Sequence, residues 1–142
     1  MPLALRWWIE LTERLEAKLR ELGRNVPEIE ASAVVSAGGL MIASVMPESF
    51  DADRVAAMAA AMLSLAERIG KELDGGGFEM GVIQGDRGYI MATDAGEEAA
   101  IIALADRRGR LSLAFLEMRR AAEDIEKSCK VVQLRGCHED CI

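Results

Sequence analysis

The residues best suited to chemistry lie close together near the C-terminus. They are three thiols and one imidazole: Cys129, Cys137, His138 and Cys141. Such groups are common zinc ligands, and four of them can complete a tetrahedral site. The two-residue gap of a CxxC pair is absent, so we predict no metal site and keep these residues as weak candidate ligands. A metal- or redox-responsive tail stays an alternative, as does a mobile tail without a role.

Other catalytic patterns are incomplete. His138 is the only histidine, so a nucleophile–His–acid site would depend on the terminal segment. Gly70-Lys71 is followed by Glu72, where a phosphate-binding loop needs Ser or Thr. The Gly75-Gly76-Gly77 run follows a helical pattern instead of opening one, which is typical of a turn. We therefore predict a non-enzyme that has no catalytic residues and no cofactor.

Charge narrows the classes of partner. The chain has 142 residues, enough for one domain, with 17 Lys+Arg against 24 Asp+Glu and a net charge of −7. Since no basic cluster along the sequence offsets this excess, we expect neither nucleic-acid binding nor attachment to an anionic membrane. The N-terminal residues interleave charged side chains with Leu, which predicts no signal peptide or membrane insertion and a cytoplasmic protein.

Hydrophobic periodicity and turn residues define the elements that would position a site. An amphipathic helix ending at Gly23 has the apolar stripe Trp8, Leu11, Leu15, Leu19 and Leu22. Strands are predicted over residues 29–36, 40–45, 78–84, 89–94 and 99–105. Two further helices are predicted over 51–73 and 111–127.

This order, α-β-β-α-β-β-β-α, predicts an α/β three-layer sandwich. Its five-stranded sheet is mostly antiparallel and has helices on both faces. The alternation in 78–84 is typical of an edge strand. We divide the chain into an N-terminal helix packed on the domain (1–27), the domain itself (28–127) and a mobile cysteine-containing tail (128–142).

The helix over 51–73 is unusually apolar. Residues 55–63 contain no polar side chain, so this helix must be buried on more than one side. The run is far shorter than the ~20 residues that span a bilayer, which favours burial against protein. We expect its sheet-facing stripe to be Val55, Met58, Ala59, Met62, Ala66 and Ile69.

A homodimer explains the remaining apolar surface of this helix. The predicted dimer interface combines small helix residues with one face of the edge strand: Ala56, Ala60, Leu63, Phe78, Met80 and Val82. The alternative is that side chains from the first or last helix of the same chain cover these alanines.

Several of these segments resemble the Roadblock family, named for a dynein light chain. The resemblance rests on the hairpin Ser32–Ser44, the Ala-rich helix, the Tyr89 hairpin and the closing strand-helix unit. It covers residues 28–127. The chain departs from the family at Gly38, where an acidic residue often stands, and in its cysteine-containing tail.

The resemblance implies a Roadblock/profilin-like fold and a homodimeric or heterodimeric platform. Bacterial and archaeal members are similar to regulators of small Ras-like GTPases, including a gliding-motility polarity regulator that repositions groups of its GTPase. By that resemblance, the expected GTPase-docking surface is Arg54, Ala57, Ala61, Ser64 and Arg68. The expected partners are a second copy and a small GTPase, and a structural adaptor that tethers a larger complex is the alternative.

Overall fold

The computed structural model describes residues 3–76 and 79–140, and for Leu3, Ala4 and residues 131–140 it describes the backbone alone. The helices are α1 (Leu3–Asn25), α2 (Ala52–Glu72) and α3 (Leu111–Asp140). The strands are β1 (Ile29–Ser36), β2 (Met41–Val45), β3 (Gly81–Gln84), β4 (Gly88–Asp94) and β5 (Ala99–Asp106). The predicted order of helices and strands is confirmed.

The strands form one antiparallel sheet in the order β2-β1-β5-β4-β3. Tight turns join β1 to β2 and β4 to β5, and each turn contains a glycine with positive φ: Gly39 at 86° and Gly96 at 85°. Only glycine adopts this backbone region without steric cost. Strand β3 lies at one edge of the sheet, as its sequence predicted, although its ladder begins at Gly81 rather than at residue 78.

One face of the sheet is covered by α1 and α3. The apolar stripe of α1 contributes Leu15 and Leu19, and α3 contributes Met118 and Ile125, each at most 1% exposed. They pack with sheet residues such as Met91. Burying a leucine or isoleucine side chain contributes roughly 1.5–3 kcal/mol, so this layer provides most of the apolar stabilisation.

Polar contacts hold α1 and α3 side by side in antiparallel orientation. The Asn25 amide donates to Glu117 at 3.2 Å, and Lys18 lies 3.6 Å from Asp124. Trp8 departs from the prediction, because it is 51% exposed and the buried stripe of α1 begins only at Leu11.

Helix α3 is longer than predicted. Its backbone is helical to Asp140, so the predicted end near Lys127 is wrong. The reason is local, because no glycine or proline follows Gly109 until Gly136. The division of the chain at residues 27 and 127, and the mobility of the tail, stay predictions.

The second face of the sheet carries α2 alone. Asp51 caps this helix by accepting a bond from the Arg54 backbone amide at 3.3 Å. Its sheet contacts form a smaller core in which Ala56, Ala59 and Leu63 meet Val35, Ala92 and Ala100. Among the described residues, no helix is long and apolar enough to cross a membrane.

Candidate functional site

The orientation of α2 decides which of its residues are available to a partner. The predicted sheet-facing stripe is wrong in part: Ala59 is buried and Met62 packs against the same small core, but Met58 is 62% exposed and Ile69 is 49% exposed. The helix instead presents Ala56, Ala59 and Leu63 to the sheet. Strand residues beneath this face, such as Ala92 and Ala100, are small, so Ala56, Ala59 and Leu63 can approach the sheet closely.

An apolar groove of about 270 Å³ runs along one flank of α2. The strands that border it contribute Ile83, Ile90, Ile102 and Leu104, and the helix contributes Val55, Met58 and Met62. Met46 and Phe50, in the connection before α2, also line the groove. Part of this face of the sheet therefore has no helix above it.

Exposed apolar side chains continue from this groove. Leu65 is 59% exposed on α2, and Val82 and Ile83 on the edge strand are 40% and 49% exposed. Contiguous apolar surface of this kind usually marks an interaction site in a soluble protein. The edge strand adds unpaired backbone amides and carbonyls, which can extend the sheet into another chain.

The other flank of α2 is polar. A groove of about 430 Å³ lies there, and its lining includes Ser36, Ser64, Glu67, Asp94 and Glu97. Burial raises the pKa of the Asp94 carboxyl, and the nearby negative charge of Glu67 adds to the rise. The two flanks of α2 thus differ in chemistry, one being apolar and the other acidic.

A tether fixes the chain where it enters β3. The Thr93 hydroxyl donates to the Glu79 carbonyl at 2.7 Å, and Arg119 of α3 pairs with the Glu79 carboxylate at 2.6 Å. Thr93 is 5% exposed, so its hydroxyl has little access to water as an alternative partner. These contacts position the edge strand beside β4.

The predicted dimer-interface residues are placed in different surroundings. Ala56 and Leu63 are buried against their own sheet, so their predicted outward position is wrong. Ala60 is half-buried near Gly39, and Met80 is half-buried against the α1/α3 core. Val82 is exposed at the edge, and Phe78 lies outside the described residues.

The predicted GTPase-docking residues lie together. All of them are exposed, and helical spacing places them on the solvent side of α2: Arg54, Ala57, Ala61, Ser64 and Arg68. Their role stays a prediction.

The candidate metal ligands are not assembled by the described residues. Cys129 is half-buried, and burial raises the pKa of its thiol, an effect to which Glu98 adds. Cys137 and His138 belong to the part of α3 described by its backbone alone, and Cys141 lies outside the described residues. Within the described part of the chain, no group of three potential ligands is found.

Sequence reasoning missed the apolar groove. Its strand residues, such as Ile90 and Leu104, are ordinary alternating sheet residues, and Met58 and Met62 were assigned to the sheet-facing stripe. The available signal was the excess of apolar surface on α2, which predicted a partner but not the side on which it would pack.

The fold and the surface around α2 together indicate a class of protein. A small α/β domain with an apolar groove, an exposed edge strand and two chemically different helix flanks is typical of a protein-interaction module. The chain belongs to the Roadblock/LC7 family, because the sequence model of the Roadblock/LC7 domain matches residues 15–105.

Similar proteins agree with this assignment. The chain is 42% identical over 98 residues to the uncharacterized protein MJ1340 of Methanocaldococcus jannaschii, covering 69% of this chain and 85% of that one. A structure of MglB in a tetrameric arrangement superposes with a TM-score of 0.79 at 23% identity, covering 86% of this chain and 92% of that one. The gliding protein MglB of Thermus thermophilus gives 0.76 at 22% identity, covering 84% and 91%.

Proposed function

We propose that this protein is a non-enzymatic, homodimeric regulator of a small Ras-like GTPase. The proposed homodimer rests on one observation: α2 does not cover the whole of its face of the sheet. The apolar groove and the exposed β3 edge lie next to each other, so one partner could fill the groove and extend the sheet.

A second copy of the chain has the chemistry to do so. Its own α2 offers the exposed apolar residues Met58, Leu65 and Ile69, and its own β3 offers a matching edge. A two-fold axis would bring each copy's helix to the other's groove, which is the self-complementary arrangement of most homodimers. Methionine suits such an interface because its flexible side chain fills irregular gaps.

The second half of the proposal concerns the GTPase. Family membership supports it, since MglB structures share this fold and the Roadblock resemblance implies GTPase regulators. The solvent side of α2 that carries Arg54, Ala57, Ala61, Ser64 and Arg68 borders the exposed residues Met58 and Leu65, and helical spacing turns Ala57, Ser64 and Arg68 furthest from those two. We propose this surface as the docking site, acting by positioning groups of the GTPase and without a catalytic residue of its own.

The test begins with a pull-down from the native cell extract in GDP and in a non-hydrolysable GTP analogue. A small GTPase retained mainly with the analogue is expected, and its hydrolysis rate is then measured with the wild-type protein and with Ala61→Tyr. The matched control is Ala17→Tyr, since Ala17 is also an exposed helical alanine but lies on α1.

We expect Ala61→Tyr to abolish the effect on hydrolysis and Ala17→Tyr to preserve it. Retention of nucleotide-independent partners alone would contradict GTPase regulation and favour a structural adaptor. Equal loss in both variants would contradict the proposed docking surface.

A further inference from the structure

A cluster of arginines lies at the end of the sheet opposite the acidic groove. Arg87 stands in the β3–β4 turn, and the connection between β5 and α3 carries Arg107, Arg108 and Arg110. We call these four residues the arginine end. The sequence itself groups Arg107, Arg108 and Arg110, and the antiparallel pairing of β4 with β5 brings Arg87, twenty positions earlier than Arg107, beside them.

Hydrogen bonds fix the two turns against each other. The Arg107 backbone amide donates to the Arg87 carbonyl at 3.4 Å, and the Arg107 guanidinium donates to the Asp86 carbonyl at 3.1 Å. The turn before α3 is closed by the Gly109 amide, which donates to the Asp106 carbonyl at 2.9 Å. The backbone positions of these arginines are therefore set by the fold, which lowers the entropic cost of binding a ligand.

Three carboxylates, those of Glu28, Asp86 and Asp106, lie near the four arginines, so the cluster keeps a formal surplus of one positive charge. Asp106 is paired with Arg108 at 3.3 Å, and one carboxylate oxygen of Glu28 is buried in a segment that packs against Gly109. Asp86 is exposed in the β3–β4 turn. The Arg107 guanidinium bonds to a neutral carbonyl, which does not cancel its charge.

Arg87 and Arg110 are exposed and form no ion pair among the described residues. Many cations elsewhere sit beside an acid on the same helix, as Arg14 does with Glu10 at 2.9 Å. Helix α3 begins directly after Arg110 with no acidic residue in its first turn, so the positive end of its dipole adds to the cluster. In a chain with a net charge of −7, this end is positive.

We propose that the arginine end binds the carboxylates of an acidic segment of a partner protein. A guanidinium group presents paired donors that match a carboxylate, and the cluster is built from arginine without lysine. A short acidic segment needs only local positive charge. Nucleic acid and anionic membranes present extended negative surfaces, which the rest of this acidic chain repels.

The experiment uses the full chain and a fluorescently labelled oligoglutamate peptide. Anisotropy is measured for the wild type and for Arg87→Gln combined with Arg110→Gln, a pair without side-chain bonds among those described. We expect saturable binding to the wild type that the double variant weakens by about tenfold and that salt reduces. The matched control, Arg14→Gln combined with Arg120→Gln, removes two exposed arginines from α1 and α3 and should retain wild-type affinity.

A second measurement does not depend on any variant folding. In the wild type, backbone amide shifts on titration with the peptide should be confined to residues 86–88 and 106–113. The proposal is overturned by absence of saturable binding, by equal losses in both double variants, or by shifts elsewhere. It is also overturned if phosphatidylserine vesicles or single-stranded DNA bind this surface and the peptide does not.

Discussion

The two faces of the sheet are built differently. The α1/α3 face is closed by two helices whose sheet-facing side chains, such as Leu15, Met118 and Ile125, are fully buried. The α2 face is covered by one helix that packs through alanines and leaves Met58, Leu65 and Ile69 in solvent. This difference indicates that the α1/α3 face stabilises the domain, whereas the α2 face has apolar surface available for binding a partner protein.

Truncating a buried side chain of the α1/α3 face should change the free energy of unfolding more than any other substitution proposed here. Leu15→Ala on the α1/α3 face should lower the free energy of unfolding by about 3 kcal/mol, because it removes a fully buried side chain and leaves a cavity. Met58→Ala on the α2 face should change it by less than about 0.5 kcal/mol at protein concentrations where the chain is monomeric. Urea denaturation measures both, and similar losses in the two variants would remove the distinction between the faces.

The second prediction addresses self-association. Met58→Glu should weaken the proposed dimer by about 2 kcal/mol or more, since it places a charge where the partner's apolar surface would pack. The control is Leu116→Glu, at a comparably exposed leucine of α3. Sedimentation velocity should show monomers for the first variant and dimers for the second, each with the wild-type circular dichroism spectrum; dimers of the Met58 variant would exclude the groove as the interface.

The third prediction concerns the edge of the open face. Thr93→Val keeps the shape of the side chain but removes the hydroxyl that bonds to the Glu79 carbonyl at 2.7 Å. We expect a loss of about 1 kcal/mol in unfolding free energy, together with faster amide exchange in β3. Thr12→Val is the control, because that hydroxyl bonds within an exposed part of α1. Unaltered exchange in β3 would show that the tether does not position this strand.

The smallest change in stability is expected for Asp94, which lies in the acidic groove on the polar flank of α2. Burial and Glu67 raise the pKa of Asp94, so the folded state holds this proton more tightly than the unfolded chain does. Asp94 therefore opposes folding when it is ionised, and this penalty disappears as the pH falls from above the raised pKa to below the ordinary value of 3.8.

Asp94→Asn should accordingly stabilise the protein by ~0.3 kcal/mol at neutral pH, a value kept small because the residue is largely exposed to solvent. The gain should vanish near pH 3. Thermal unfolding at both pH values tests this, with Glu13→Gln on the exposed side of α1 as the control; a gain that is the same at both pH values would contradict the electrostatic origin.

Much of the architecture follows from local signals. The leucine spacing of α1, the turns at Gly39 and Gly96, and the short apolar run of β5 helped to predict the element order, and the alternation in residues 78–84 predicted the edge position of β3. The end of α3 was placed too early because the sequence after Lys127 was taken as a tail, although it contains ordinary helix-forming residues. Helix ends are decided by capping and packing as well as by composition.

The rotation of α2 about its axis could not be predicted with the same success. Alanine and methionine are both apolar, so periodicity alone did not distinguish the sheet-facing residues Ala56 and Leu63 from the exposed residues Met58 and Ile69. The choice depends on the sizes of Val35, Ala92 and Ala100, which come from three different strands. Only packing in three dimensions brings those sizes together.

The sequence by itself determined the layers, the antiparallel sheet and the presence of apolar surface in excess of what one chain buries, because these follow from periodicity and turn chemistry within short segments. The tertiary structure decided where that surface lies. It placed the apolar groove on one flank of α2 and acidic residues on the other, and it joined Arg87 to the arginines that follow β5. These features depend on contacts between residues distant in sequence, and such contacts exist only once the sheet has formed.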